Sequence, residues 1–191
     1  MKPLIALLLL GTICGCNSQA ARQPNILFIM ADDHAVGAVG SYGSDLVETP
    51  NIDLLAKQGM LFEQSFVTNS ICSPSRATLL TGTYNHVNGT SQLGDVFDGG
   101  QQTFPKLMQQ AGYTTGIAGK WHLSSEPTGF DYWKVLPGQG RYVDPEFRTQ
   151  DGLSVTEGFT TDLVADEAIS FMERHRNSGK PFMFMAHFKA P

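Results

Sequence analysis

Residues 72–82 read Cys72-Ser73-Pro74-Ser75-Arg76-Ala77-Thr78-Leu79-Leu80-Thr81-Gly82, and they hold a cysteine and an arginine one helical turn apart. That spacing lets both side chains face one site. Two further pairs have residue types that can do chemistry. Asp32 and Asp33 are adjacent carboxylates that repel each other and want a cation, and hard oxygen ligands of this kind suit calcium or magnesium. Lys120 and His122 lie two residues apart and, with Arg76, would concentrate positive charge. Each feature alone has an ordinary reading. A free cysteine is usually buried and inert. An Asp-Asp pair is usually a solvated loop or a helix cap, a lone arginine a surface cation, and a Lys/His pair simply exposed.

The elements that would position these residues alternate between strand and helix. Residues 25–31 are a continuous apolar run, read as a buried strand of a parallel sheet with Asp32-Asp33 at its carboxyl end. Thr49 and Pro50 open a helix as N-cap and first helical residue, and Gly59 closes it. Residues 60–67 read as a second strand. Pro74 suits the first turn of a helix that runs to Gly82, which places Cys72 at its N-terminus, where backbone N–H groups and the dipole favour negative charge. Thr103-Phe104-Pro105 starts another helix, ending near Gly112. Residues 113–118 form a strand with Gly119-Lys120-Trp121-His122 at its end. Residues 124–157 are rich in Gly, Pro and aromatics without clear periodicity and read as a long functional loop. Residues 160–176 are an amphipathic helix with Val164, Ala168, Phe171 and Met172 on one side, and 181–188 a last apolar strand. The class is therefore α/β with a mainly parallel sheet flanked by helices. Ligands in such sheets sit beyond the carboxyl ends of strands, where Asp32-Asp33 and Lys120/His122 both fall.

The whole is sized for one domain: 191 residues, 41% hydrophobic and 16% charged. A net charge of −5 argues against non-specific nucleic-acid binding but allows an anionic ligand in a locally positive pocket. Residues 1–22 are set apart from the catalytic part, residues 23–191. Lys2 and the apolar run 4–10 have the shape of a secretory signal, too short to span a bilayer as a mature helix. Ile13-Cys14-Gly15-Cys16 resembles a bacterial lipobox with Cys16 lipidated, and the rival is ordinary cleavage near Ser18-Gln19-Ala20. Either way Cys72 is expected as the only cysteine of the mature fold; the lipoprotein reading puts the protein in the periplasm or outer membrane, with membrane contact only through a lipid anchor.

The run Cys72 to Gly82, the tetrad Gly119 to His122 and the strand ending in Asp32-Asp33 resemble the formylglycine-dependent (type I) sulfatases, and the resemblance covers residues 24–191. It implies an alkaline-phosphatase-like sulfatase fold and a cysteine oxidised to formylglycine before it acts. Such an aldehyde hydrates to a gem-diol. One hydroxyl attacks sulfur and the sugar alcohol leaves; the second lets the sulfated intermediate collapse to the aldehyde and release sulfate. By the same resemblance Asp32, Asp33 and the modified Cys72 hold Ca2+, with Mg2+ second. Arg76 steadies the nucleophile, Lys120 contacts sulfate oxygens, and His122 bonds the nucleophile's oxygen. His187 is read as a neighbour of the catalytic histidine and not itself the acid. A formylglycine-generating or anaerobic sulfatase-maturating enzyme is the implied partner. Residues 68–71, 97–104 and 128–133 look like bacterial N-acetylglucosamine-6-sulfatases acting on mucin or glycosaminoglycan sugars. The family's second metal pair and small C-terminal domain are not among these residues, so the fold is expected to be incomplete and this polypeptide alone inactive. Two other functions fit the residues: a phosphonate or phosphate monoester hydrolase of the same superfamily, and a non-catalytic surface carbohydrate-binding remnant.

Overall fold

The structure, a computed structural model, describes residues 23–191; the expected leader and Cys16 lie outside the described residues. Eleven regular elements follow in order: β1 (Ile26–Met30), α1 (Pro50–Gln58), α2 (Cys72–Thr81), α3 (Asn85–Asn88), α4 (Phe104–Gln110), β2 (Thr114–Lys120), β3 (Tyr132–Leu136), β4 (Glu146–Thr149), β5 (Gly152–Val155), α5 (Thr160–His175) and β6 (Phe182–His187). The six strands make one sheet in the order β1-β6-β2-β3-β4-β5. The first four pair in parallel, and β4 and β5 form an antiparallel hairpin at one edge. Among the described residues no helix is long and apolar enough to cross a membrane.

Strand alternation builds the two apolar layers. Along β6, Met183 and Met185 face α2 and α4, where they pack with Ala77, Leu80 and Ile117. Phe182, Phe184 and Ala186 face α5 and pack with Val164, Ala168 and Phe171. The register then aligns the strand ends: Met30 opposes His187 across β1 and β6, and Gly119 opposes His187 across β2 and β6. Asp32, Lys120 and His187 therefore meet at one carboxyl edge, although far apart in sequence.

Three expectations change. Strand β1 is parallel, as its apolar run suggests, but it is an edge strand and not buried: Leu27 is 42% and Ile29 55% exposed. Among the described residues it has one partner strand, and of its large residues Phe28 alone packs on the α2-side core. Residues 60–67 form no strand, because no edge pairs with them among the described residues; Phe66 is 88% exposed. The stretch 124–157 is not one loop but holds β3, β4 and β5. Trp133, Val135, Leu136 and Phe147 are core residues there, and β3 is a short aromatic and aliphatic strand whose period the surrounding glycines and prolines obscure. Helices α1, α2, α4 and α5 fall where expected, and the short α3 (Asn85–Asn88) is an addition. Thr49 stands at the N-cap of α1, but its hydroxyl bonds Asp53 and the Gly40 N–H and does not cap the helix.

Candidate active site

Cys72 is the first residue of α2; Ile71 before it is extended, and Gly82 at φ +67 ends the helix in the left-handed conformation. One turn on, Arg76 is 1% exposed and points its guanidinium under the site. Its Nη1 donates to the Lys120 carbonyl (2.6 Å) and lies 2.9 Å from His187 Nδ1, while Nη2 donates to Asp32 Oδ1 (3.0 Å). The Lys120 ammonium donates to Asp32 Oδ2 and approaches Cys72 Sγ at 3.5 Å; Cys72 Sγ lies 3.8 Å from Asp32 Oδ1. Asp32, Cys72, Arg76 and Lys120 thus form one cluster. It borders a cavity of about 620 Å³ that Asp33, Tyr142 and Lys189 also line.

The placement of Lys120 depends on Gly119. Alternation alone would send Lys120 to the α5 face with Ala118. Gly119 has φ +100, and a Cβ there would fall 1.9 Å from the His187 carbonyl oxygen. Only glycine accepts both the conformation and the close approach, and the break in alternation comes just before the lysine.

The charges are arranged for an anion. Arg76, buried beneath the cavity, and Lys120 against Asp32 leave an excess of one positive charge, and Asp33 and Lys189 on the lining offset each other. Burial acts to raise the Asp32 carboxyl, but hydrogen bonds and charge from Lys120 and Arg76 outweigh it and hold its pKa below the usual carboxylate range. Burial and the same two cations push the His122 imidazole down, favouring its neutral form.

His122 sits beside this cluster, and its side chain makes no hydrogen bond to Cys72. Its carbonyl accepts from Ser73 Oγ (2.7 Å), which ties the end of β2 to the start of α2. Its ring lines a neighbouring cavity of about 320 Å³ with Ser125 and Arg148, and Nδ1 is buried without a partner. Asp33, in the left-handed conformation at φ +56, is exposed on the cavity rim. The residue that sequence reasoning set aside is His187, 2% exposed and in contact with Arg76. Period-two alternation from Met183 and Met185 was the signal that puts it on the α2 face. His86 stacks on Tyr84 and His175 packs against Phe171 with tilted rings, both away from the cluster.

The donor chemistry of Asp32 and Asp33 fits a hard cation in type, since both offer carboxylate oxygens at a strand end. Their number is part of what calcium wants, and among the described residues no group of three or more His, Cys, Asp or Glu gathers around them.

The chain is similar to known proteins along its described length. A family model described as Sulfatase matches residues 24–191. An N-acetylglucosamine-6-O-sulfatase of Bacteroides thetaiotaomicron is 46% identical over 191 residues, covering 98% of this chain and 34% of that protein. The human N-acetylgalactosamine-6-sulfatase is 33% identical over 208 residues, 88% of this chain and 40% of that one. A solved structure of a protein in complex with its substrate, D-glucosamine-2-N,6-O-disulfate, superimposes with a TM-score of 0.86 at 48% identity, over 89% of this chain and 35% of that chain. A phosphonate monoester hydrolase of Agrobacterium radiobacter shares the fold, with a TM-score of 0.64 at 22% identity over 87% of this chain and 41% of that one. The chain spans between about a third and two fifths of the length of the curated relatives named here.

Proposed function

The chain belongs to the sulfatase family, and from that premise we propose that the whole protein removes sulfate from a sulfated amino sugar, with Cys72 oxidised to formylglycine. The observation that carries this reading is the setting of Cys72. It begins a helix, has the Lys120 ammonium 3.5 Å from its sulfur, and shares Asp32 with Arg76. A hydrated formylglycine supplies an oxygen nucleophile that a thiol lacks. Lys120 and Arg76 offer positive charge to sulfuryl oxygens, and the N-terminal end of the helix dipole lies at Cys72. Asp32 keeps the two cations in place and stays anionic. By family resemblance His122 would serve the nucleophile's oxygen; its ring lines the neighbouring cavity, where burial and the two cations favour the neutral form. Asp32 and Asp33 would contribute to a calcium or magnesium site, where a divalent cation supplies polarisation of a sulfuryl oxygen.

The substrate reading follows the relatives: a 6-sulfated glucosamine or N-acetylglucosamine, the sugars of the bacterial sulfatase and of the substrate complex. Export as a lipoprotein through Cys16, and oxidation by a dedicated maturation enzyme, complete the proposal. Loss of palmitate labelling in Cys16→Ser would support the anchor.

Two measurements test the core of it. Mass spectrometry of the Cys72 peptide should find sulfur replaced by oxygen with loss of two hydrogens. The purified whole protein should release sulfate from N-acetylglucosamine-6-sulfate and lose that activity in Cys72→Ala. A preference for phosphonate or phosphate esters would move it to the other hydrolase class, and sugar binding with unmodified, inactive Cys72 would favour a binding role.

A further inference from the structure

We propose that His187 is a positioning residue for Arg76, a neutral buried acceptor that fixes the guanidinium without cancelling its charge. The proposal rests on the anion-binding reading of the Cys72 cavity given above.

The proposal assigns the tautomer. Arginine has only donors, so the contact of 2.9 Å between Arg76 Nη1 and His187 Nδ1 is a hydrogen bond when Nδ1 carries the lone pair and the ring proton sits on Nε2. The Lys120 carbonyl lies 3.2 Å from Nδ1 but accepts from the same Arg76 Nη1 at 2.6 Å, so it needs no second donor from the ring. Nη1 is thereby held between a carbonyl and an imidazole nitrogen, and Nη2 is left facing Asp32.

Two features separate this from ordinary core packing. First, His187 Nε2 is buried with no partner, a cost that a methionine or leucine on the same face of β6 would not carry. Second, the acceptor is uncharged. A carboxylate at this position would hold Arg76 as firmly, but would reduce the charge balance of Arg76, Lys120 and Asp32 from an excess of one positive charge to none. An imidazole keeps the excess available to an anion above Cys72. Burial and the adjacent Arg76 push the His187 ring down to about 3, which keeps it an acceptor across ordinary pH. The strand ends carry this precision: Gly119 lets β2 approach the His187 carbonyl within a distance that no Cβ allows.

The test uses the full-length protein and three variants. H187N places an amide oxygen near the position of Nδ1, H187Q places it near Nε2, out of reach of Arg76, and H187L removes the acceptor at similar volume. Inorganic sulfate binding is measured by calorimetry, with kcat and KM on the sulfated sugar and the melting temperature of each variant. Sulfate affinity should fall about tenfold or more in H187L and H187Q and return to within about threefold of wild type in H187N, as expected for loss and rescue of a charge-assisted hydrogen bond. Wild-type sulfate affinity in a folded H187L or H187Q overturns the proposal, and so does a folded H187N that fails to rescue. If H187L does not fold, the comparison of H187N with H187Q decides alone. A wild-type protein that binds sulfate but hydrolyses no sulfate ester removes the functional reading and leaves this comparison standing. One that binds neither sulfate nor phosphate overturns both.

Discussion

Replacing Asp32 by asparagine is expected to destabilise the metal-free protein by about 2–4 kcal/mol. The substitution keeps the shape and one acceptor, so Arg76 Nη2 retains an oxygen at 3.0 Å. The other side-chain atom becomes an NH2 facing the Lys120 ammonium, donor against donor. Lys120 and Arg76, with side chains 2% and 1% exposed, are then left without a counter-charge. At an effective dielectric near 20, one charge pair at 3 Å is worth about 5 kcal/mol before desolvation. Measured losses on removing one partner of a buried pair run at about 3–5 kcal/mol. Asp32 is itself 13% exposed, which admits water and shifts the expectation about 1 kcal/mol below that range, to about 2–4 kcal/mol. Denaturant unfolding after treatment with chelator would measure it, from a shift in midpoint at constant slope. A difference under about 1 kcal/mol in the chelated protein would refute the argument that this carboxylate holds the cation cluster together. Destabilisation only in the metal-loaded protein would assign Asp32 to metal binding alone.

Other substitutions probe the scaffold. Gly119→Ala should cost about 3 kcal/mol or more, because φ is +100 and the new Cβ meets the His187 carbonyl; a variant melting like wild type would show that the strand ends are not tightly apposed. Ser73→Ala should cost about 1 kcal/mol in denaturant unfolding through loss of its bond to the His122 carbonyl, and an unchanged midpoint would mean the bond contributes nothing. The pH dependence has a definite sign. His187 titrates near 6.5 when unfolded and at about 3 when folded, so the unfolded chain binds the extra proton and stability falls as pH drops through that window. Its share is a slope of about 1.4 kcal/mol per pH unit. His122, also pushed down, acts in the same direction, and Asp32 withdraws its contribution as pH falls from the ordinary carboxylate value of 3.8 through its lowered folded pKa. Urea midpoints between pH 7 and pH 4 should show the decline, and H187N should flatten it; equal slopes would contradict a buried neutral ring.

The comparison of sequence and structure divides by range. Cys72 and Arg76 share a helix, and Pro74 and Gly82 mark its first turn and its end, so local pattern places both side chains on one site. Asp32 and Lys120 are legible as ends of apolar runs. Residues 124–157 are not, because β3 to β5 are short and set among turn residues. The apolar stretch 60–67 misleads in the opposite sense, since an apolar run becomes a strand only when a partner edge exists.

By itself the sequence determined the chemical groups, the family, and which of them lie at strand or helix ends, because these follow from motif and period within a few residues. Only the tertiary structure decided that the Asp32 carboxylate is shared by Arg76 and Lys120, that His187 lies under Arg76, and that His122 stands aside from Cys72. Those contacts, with the Ser73–His122 tie, join residues 44 to 111 positions apart. They depend on strand order and on the register of β1, β6 and β2, which are set by how both faces of the sheet bury their apolar side chains together.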